Sequence, residues 1–335
     1  MEFLSRRIWA FVIFTTAVVA VGMFYFAQIA REGVTHDLAA WADRQRARGW
    51  QVEAQIAPTR EYWFSPAISL RHVHLHAYNE LLPGGVDIMA DQVDLRVDLR
   101  NPALLHVVVR GVSGFQLGTS PAQRIIADHL TATVHLKSGG QIVSVAIDGK
   151  NLRPPQGPGP DGTGLNGTGL AVGILDATVT PDDQGIALAL RTEAVELPPL
   201  PREYDPGLGQ HLSDFTLNAA LHGWPTHLGD RRTRADIWRA GGGKIEITSL
   251  VMGWGPLGLV ASGQLGLDDH LQPDGAAHLE VRGAQTVLQN LGGNWAVVGS
   301  LLGASTEPVP LELRVKRGHL LVDRVQVAKL GAVNW

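Results

Sequence analysis

Three histidines stand on alternate residues in the stretch His72-Val73-His74-Leu75-His76. On a β-strand, alternate side chains share a face, so three imidazoles would point one way. That is a donor set suited to zinc or copper. Whether it serves a metal or only lines the wet side of a sheet depends on the period of the chain around it. A metal site needs three or four converging ligands and a second shell to orient them. No other cluster of histidines or carboxylates with ligand spacing stands out in the sequence.

The surrounding chain has period two. In VDLRVDLR, residues 93–100, Val93, Leu95, Val97 and Leu99 fall on one face, and Asp94, Arg96, Asp98 and Arg100 on the other. That is the pattern of a half-buried strand. Comparable segments recur from Trp50 to the C-terminus, separated by Gly, Pro, Asn and Asp. They predict an all-β-dominant domain built on a large, mostly antiparallel sheet, twisted or folded over.

Within these segments the alternation switches parity across a skipped polar pair. It does so at Arg71-His72, Asp91-Gln92, Asp128-His129, Thr248-Ser249 and Asp323-Arg324. A one-residue slip throws every apolar side chain onto the wrong face, and an extra residue of the β-bulge kind restores it. His72 is then half of a skipped pair. His74 and His76 alternate with Val73, Leu75 and Ala77, which puts them on the polar face. No metal is expected there.

Other motifs read the same way. Gly162-Thr-Gly164-Leu-Asn-Gly167 matches a dinucleotide fingerprint, but a Pro/Gly loop precedes it and a strand-like run follows, so it reads as a loop. Asp182-Asp183 and Asp268-Asp269 sit beside turn residues and read as solvated turns. The nine tryptophans are scattered, and Trp254 follows Met252 at strand spacing, as packing. There is no phosphate-binding loop, no H-E-x-x-H and no G-x-S-x-G. The absence of cysteine excludes disulfides, iron–sulfur clusters and thiol nucleophiles. A net charge of −4 leaves no basic footprint for nucleic acid. The expectation is a protein that is not an enzyme and takes no cofactor.

The N-terminus points to a membrane. Arg6 and Arg7 precede residues 8–30, in which only Gln28 is strongly polar. As a helix this run reaches ~35 Å, enough to cross a ~30 Å hydrocarbon core, and it is longer than the apolar region of a signal peptide. Arg31, Arg44, Arg46 and Arg48 after the span argue for the opposite orientation by count. Long domains translocate largely regardless of charge, however, and the tail before the span is very short. The expected order is a cytoplasmic tail at 1–7, a transmembrane helix at 8–30 and a charged stalk helix at 31–49. A periplasmic β domain follows at 50–335, with a sub-boundary at the loop 153–169. Val34, Leu38 and Trp41 give the stalk its helical spacing, and Gly49 ends it. A second helical stretch, 284–304, is split by Gly292-Gly293 into two short helices that cap a sheet end.

The C-terminal third resembles a bacterial envelope family known as domain of unknown function 2125. The matching features are Trp238 with Gly241-Gly242, Trp254-Gly255-Pro256, Gly263 with Leu267-Asp268, Pro273 with Gly275, and Gly283. The segment AAWADRQRARGW, residues 39–50, fits as well. The resemblance covers residues 31–75 and 234–335 and is weaker between them. It implies no catalytic residues. In style it is similar to the AsmA-like envelope proteins, which implies an inner-membrane anchor and a β-rich groove associated with lipid. On that reading the chain binds or organises lipid through its apolar sheet face, with Val93, Leu95, Val97 and Leu99 facing the lipid. The bilayer is then its partner, and no nucleic acid is involved. The alternative is a structural or interaction module whose apolar face is a closed core. Alternation alone fits both.

Overall fold

Alternation becomes strand from Trp50 onward. The computed structural model describes residues 36–333 apart from 37, 48, 58–66, 80–81, 99–100, 119, 121, 138–140, 156, 159–163, 166–168, 182–184, 200–206, 224–233, 292 and 303–306. The expected transmembrane run 8–30 lies outside these residues. Among the described residues, no helix is long and apolar enough to cross a membrane. Sixteen strands belong to one antiparallel sheet that does not close on itself. The chain divides into two units, Met1–Ala122 and Gln123–Trp335.

The first unit carries helix α1 (38–47), then β1 (Trp50–Ala57), β2 (Ala67–Asn79), β3 (Leu82–Val97) and β4 (Leu104–Leu117), paired in that order. Gly49 ends α1 with φ +87° and donates its N–H to the Arg46 carbonyl at 2.9 Å, the left-handed stop that glycine takes without a Cβ clash. The helix is not a free stalk. Ala42 is buried, and Leu38 packs on a cluster of Ile68, Leu70 and Leu95. A charged composition concealed an apolar stripe of small residues that docks on the sheet.

Cross-strand register lines up the apolar positions. Val52, Leu75, Ile88 and Phe115 stand side by side on β1 to β4, and Ile68, Leu95 and Val107 do so farther along. Between these rows the parity switches. β2 and β3 pass through the switch together, His72 lying between Arg71↔Gln92 and Val73↔Ala90. The outer neighbours absorb the difference: β1 sets Ala54 against two residues of β2, and β4 sets Gly111 and Val112 against Asp91. His72 takes φ +51° and Gly111 φ +79°. The Asp91 carboxylate accepts the Val112 N–H at 2.8 Å and lies 2.7 Å from where a Cβ on residue 111 would stand, so residue 111 must be glycine.

The second unit begins with β5 (Gln123–Ile126), β6 (His129–Leu136) and β7 (Ile142–Leu152). The hairpin β8 (Gly157–Pro158) and β9 (Gly164–Leu165) follows, then β10 (Ala171–Pro181), β11 (Gly185–Glu196), β12 (His211–His222) and α2 (Arg234–Ala240). After these come β13 (Lys244–Trp254), β14 (Leu257–Leu267), β15 (Pro273–Arg282), α3 (Ala284–Leu291), α4 (Gly293–Leu302), β16 (Val309–Lys316), β17 (His319–Val322) and β18 (Val325–Lys329). Many successive strands are joined by short hairpin connections, while α2 lies between β12 and β13 and α3–α4 between β15 and β16. Of the dinucleotide-like motif, Gly164 and Leu165 are described, and they form β9. A second crease crosses this unit: Asn151 on β7 and Ala194 on β11 both take left-handed φ, with Gly173 of β10 between them. Below it lies a buried cluster of Leu152, Val172, Val195 and Leu212, against which Met252 and Trp254 pack. The Gly292-Gly293 split is borne out by α3 and α4.

Candidate functional site

The histidines are not three equivalent ligands. His72 sits on the crease with its side chain exposed, and the parity switch removes it from the alternation of His74 and His76. Those two share one carboxylate across the strand pair. His74 Nε2 lies 3.0 Å from Asp87 Oδ1, and His76 Nδ1 lies 3.3 Å from Asp87 Oδ2. Both belong to the polar face. Among the described residues, no group of three His, Cys, Asp or Glu side chains is placed to hold a metal ion.

The polar face is less wet than its composition predicts. Asp94 is 3% exposed. It accepts hydrogen bonds from Ser69 Oγ at 2.6 Å and Gln92 Nε2 at 2.9 Å, and it pairs with Arg110 Nε at 3.0 Å. Three donors satisfy the buried carboxylate, as burial of a charge requires. The expected lipid-facing residues lie on the opposite side of the same strand. Leu95 is buried in the cluster with Ile68 and Leu70, and Val93, Leu105, Val107 and Leu38 close around it. Val97 is half-buried, and Leu99 lies outside the described residues. At this end the apolar face is covered by protein. At the other end of the same strands it is open, with Ile88 42% and Phe115 36% exposed.

A broad apolar surface lies in the second unit. One cross-strand row runs Ala132, Ile147, Ala177, Leu190, Leu217, Leu250, Ala261, Leu279 and Leu311 through β6, β7 and β10 to β16. A second row, two residues along, runs from Val134 and Val145 through Leu188, Ala219 and Ile247 to Leu313. Every residue of the first row is only partly buried, unlike the cluster below the crease. A face covered by a second layer buries its central rows; these rows have no such cover. At ~4.8 Å per strand the first row spans about 38 Å. The opposite parity is polar through Asp148, Asp176, Arg191 and Thr216, continues through Val251 and Val260, and is charged again at Glu280.

That polar side holds a concavity of about 520 Å³, lined by Ser249, Ser262, His278, Glu280, Glu312 and Asp323. Two of its three acids are engaged: Arg314 bonds the Glu312 carboxylate at 2.7 Å, and Asp323 accepts the Glu312 N–H at 2.9 Å. Two exposed carboxylates elsewhere titrate low. Asp128 is held below the usual carboxylate range by hydrogen bonds from Asn151 and Arg153, and Glu246 is lowered by its bond from Lys244.

The sequence matches, over residues 28–330, the model of a family described as uncharacterized protein conserved in bacteria, DUF2125. The match includes the middle of the chain, where the sequence resemblance is weak. No curated protein and no solved structure matches the chain.

Proposed function

The chain belongs to the DUF2125 family of uncharacterized bacterial proteins, and from that premise we propose that it is a lipid-binding or lipid-organising protein of the cell envelope. In this reading residues 8–30 anchor it in the inner membrane and the β domain lies in the periplasm. It works without catalysis or cofactor. The observation that supports the reading is the registered apolar row from Ala132 to Leu311, about 38 Å wide and left partly exposed. Each methylene that an acyl chain removes from water against such a surface contributes about 0.8 kcal/mol, before the cost of ordering the chain. The open rows of the second unit and the Ile88–Phe115 end of the first are the surfaces offered to lipid. Val93 and Leu95 support the fold of the first unit.

The test is lipid extraction from the detergent-solubilised full chain, followed by mass spectrometry. The expected result is stoichiometric diacyl lipid. Protein free of lipid after mild solubilisation would favour the alternative, a structural or interaction module.

A further inference from the structure

The helical pair α3–α4 has a second apolar surface, separate from the sheet face. No charged residue occurs between Ala284 and Leu302. The inner side of the pair is well packed: Val287 and Val298 are buried, and Gly299 fits against Leu288 and the backbone of residue 285. Asn294 Nδ2 donates to the Gln326 carbonyl at 2.6 Å, tying α4 to β18. The outer side of α4 is uncharged and carries two large apolar residues beside Asn294 and Ser300. Val297 and Leu301, one turn apart, are 50% and 73% exposed. A surface helix of a soluble protein puts its polar side outward; this one has no charge to put there.

Charge in the neighbourhood favours one occupant. From Arg282 to the C-terminus the chain holds six Lys or Arg against three Asp or Glu, in a molecule whose net charge is −4. Arg282 precedes α3, and Arg324 and Lys329 bound the strand on which α4 packs; all three are exposed. An uncharged apolar ridge with a basic surround fits a bilayer rich in anionic lipid, where the ridge enters the interface and the cations meet headgroups. We propose that α4 docks on an anionic membrane surface through Val297 and Leu301.

The absence of cysteine makes single-site labelling clean. Leu301→Cys and, as a control, Val260→Cys, an exposed position on the polar side of the sheet, would be labelled with an environment-sensitive fluorophore. The full chain would be placed in nanodiscs of phosphatidylglycerol and phosphatidylethanolamine containing doxyl-labelled lipid. The expected result is a blue-shifted probe at 301 that loses most of its intensity to the doxyl group. The probe at 260 should be unaffected, and quenching at 301 should weaken when phosphatidylglycerol is replaced by phosphatidylcholine. Equal quenching at both sites would overturn the proposal. So would a blue shift at 301 without doxyl quenching, which reports a protein contact such as a second copy. Lipid that copurifies while 301 stays unquenched removes the docking alone. Quenching at 301 without copurified lipid removes the sheet-face reading alone.

Discussion

Asp128 is an exposed residue with a structural task. Asn151 holds φ +50° at the C-terminal end of β7, a conformation that asparagine tolerates better than most residues, and its amide donates to the Asp128 carboxylate at 2.9 Å. Arg153 Nη1 reaches the same carboxylate at 2.8 Å. These bonds lower the Asp128 pKa, so the folded protein binds this proton less readily than the unfolded chain does. The stabilisation is therefore present above the ordinary aspartate range, near pH 4, and is lost as the pH falls through the lowered folded value. Asp128→Asn should melt earlier than the wild type at neutral pH, and the gap should close in acid. Melting curves from pH 7 to pH 3 would show it, and a gap independent of pH would mean that the carboxylate charge is not what holds the crease. The sequence marked Asp128 only as half of a skipped pair; its partner lies more than twenty residues away, on a strand whose register no local pattern reveals.

At the scale of elements, the parity switch was legible and its cause was not. Three of the skipped pairs, at 71–72, 91–92 and 248–249, lie inside strands where the pairing register shifts or the backbone turns left-handed. The pair 128–129 instead falls at the break between β5 and β6, and 323–324 is the turn between β17 and β18. A bulge and a tight turn both restore the same face, so alternation cannot tell them apart. The resemblance motifs are corners of the same kind. Gly242 takes φ +74° in the turn after α2, whose Trp238 indole donates to the His222 carbonyl at 2.8 Å, and Gly255 takes φ +54° in the turn after Trp254. What covers a face was also hidden. Alternation set Leu95 against Asp94 as inside against outside, yet both are buried. Leu95→Asp should cost several kcal/mol, because the new carboxylate has no partner in its cluster. Asp94→Leu should also destabilise, by about 1–3 kcal/mol, since Ser69 and Gln92 lose their acceptor. Chemical denaturation of both variants checks this. A neutral Asp94→Leu would show that the network contributes nothing net.

For the molecule as a whole, the question is whether the long apolar rows are a finished surface or half of a core. Leu95 and Leu217 separate the two. They are the same residue type, each in an apolar cross-strand row of its own unit, but Leu95 is enclosed by a helix and its neighbours while Leu217 stands partly exposed in the middle of a nine-strand row. A carboxylate at 217 reaches water by turning off the face. Leu217→Asp should therefore cost about 1 kcal/mol, close to a surface change, whereas Leu95→Asp costs several. If lipid occupies the rows, the same Leu217→Asp variant should lose most of its copurified lipid while its melting temperature barely moves. Thr216→Asp, one residue away on the polar side, should change neither. Loss of lipid without loss of fold cannot come from a closed core, in which the residue that holds the ligand also holds the protein together. If Leu217→Asp unfolds the chain as Leu95→Asp does, and the wild type carries no lipid, the rows are an ordinary core and the lipid reading falls.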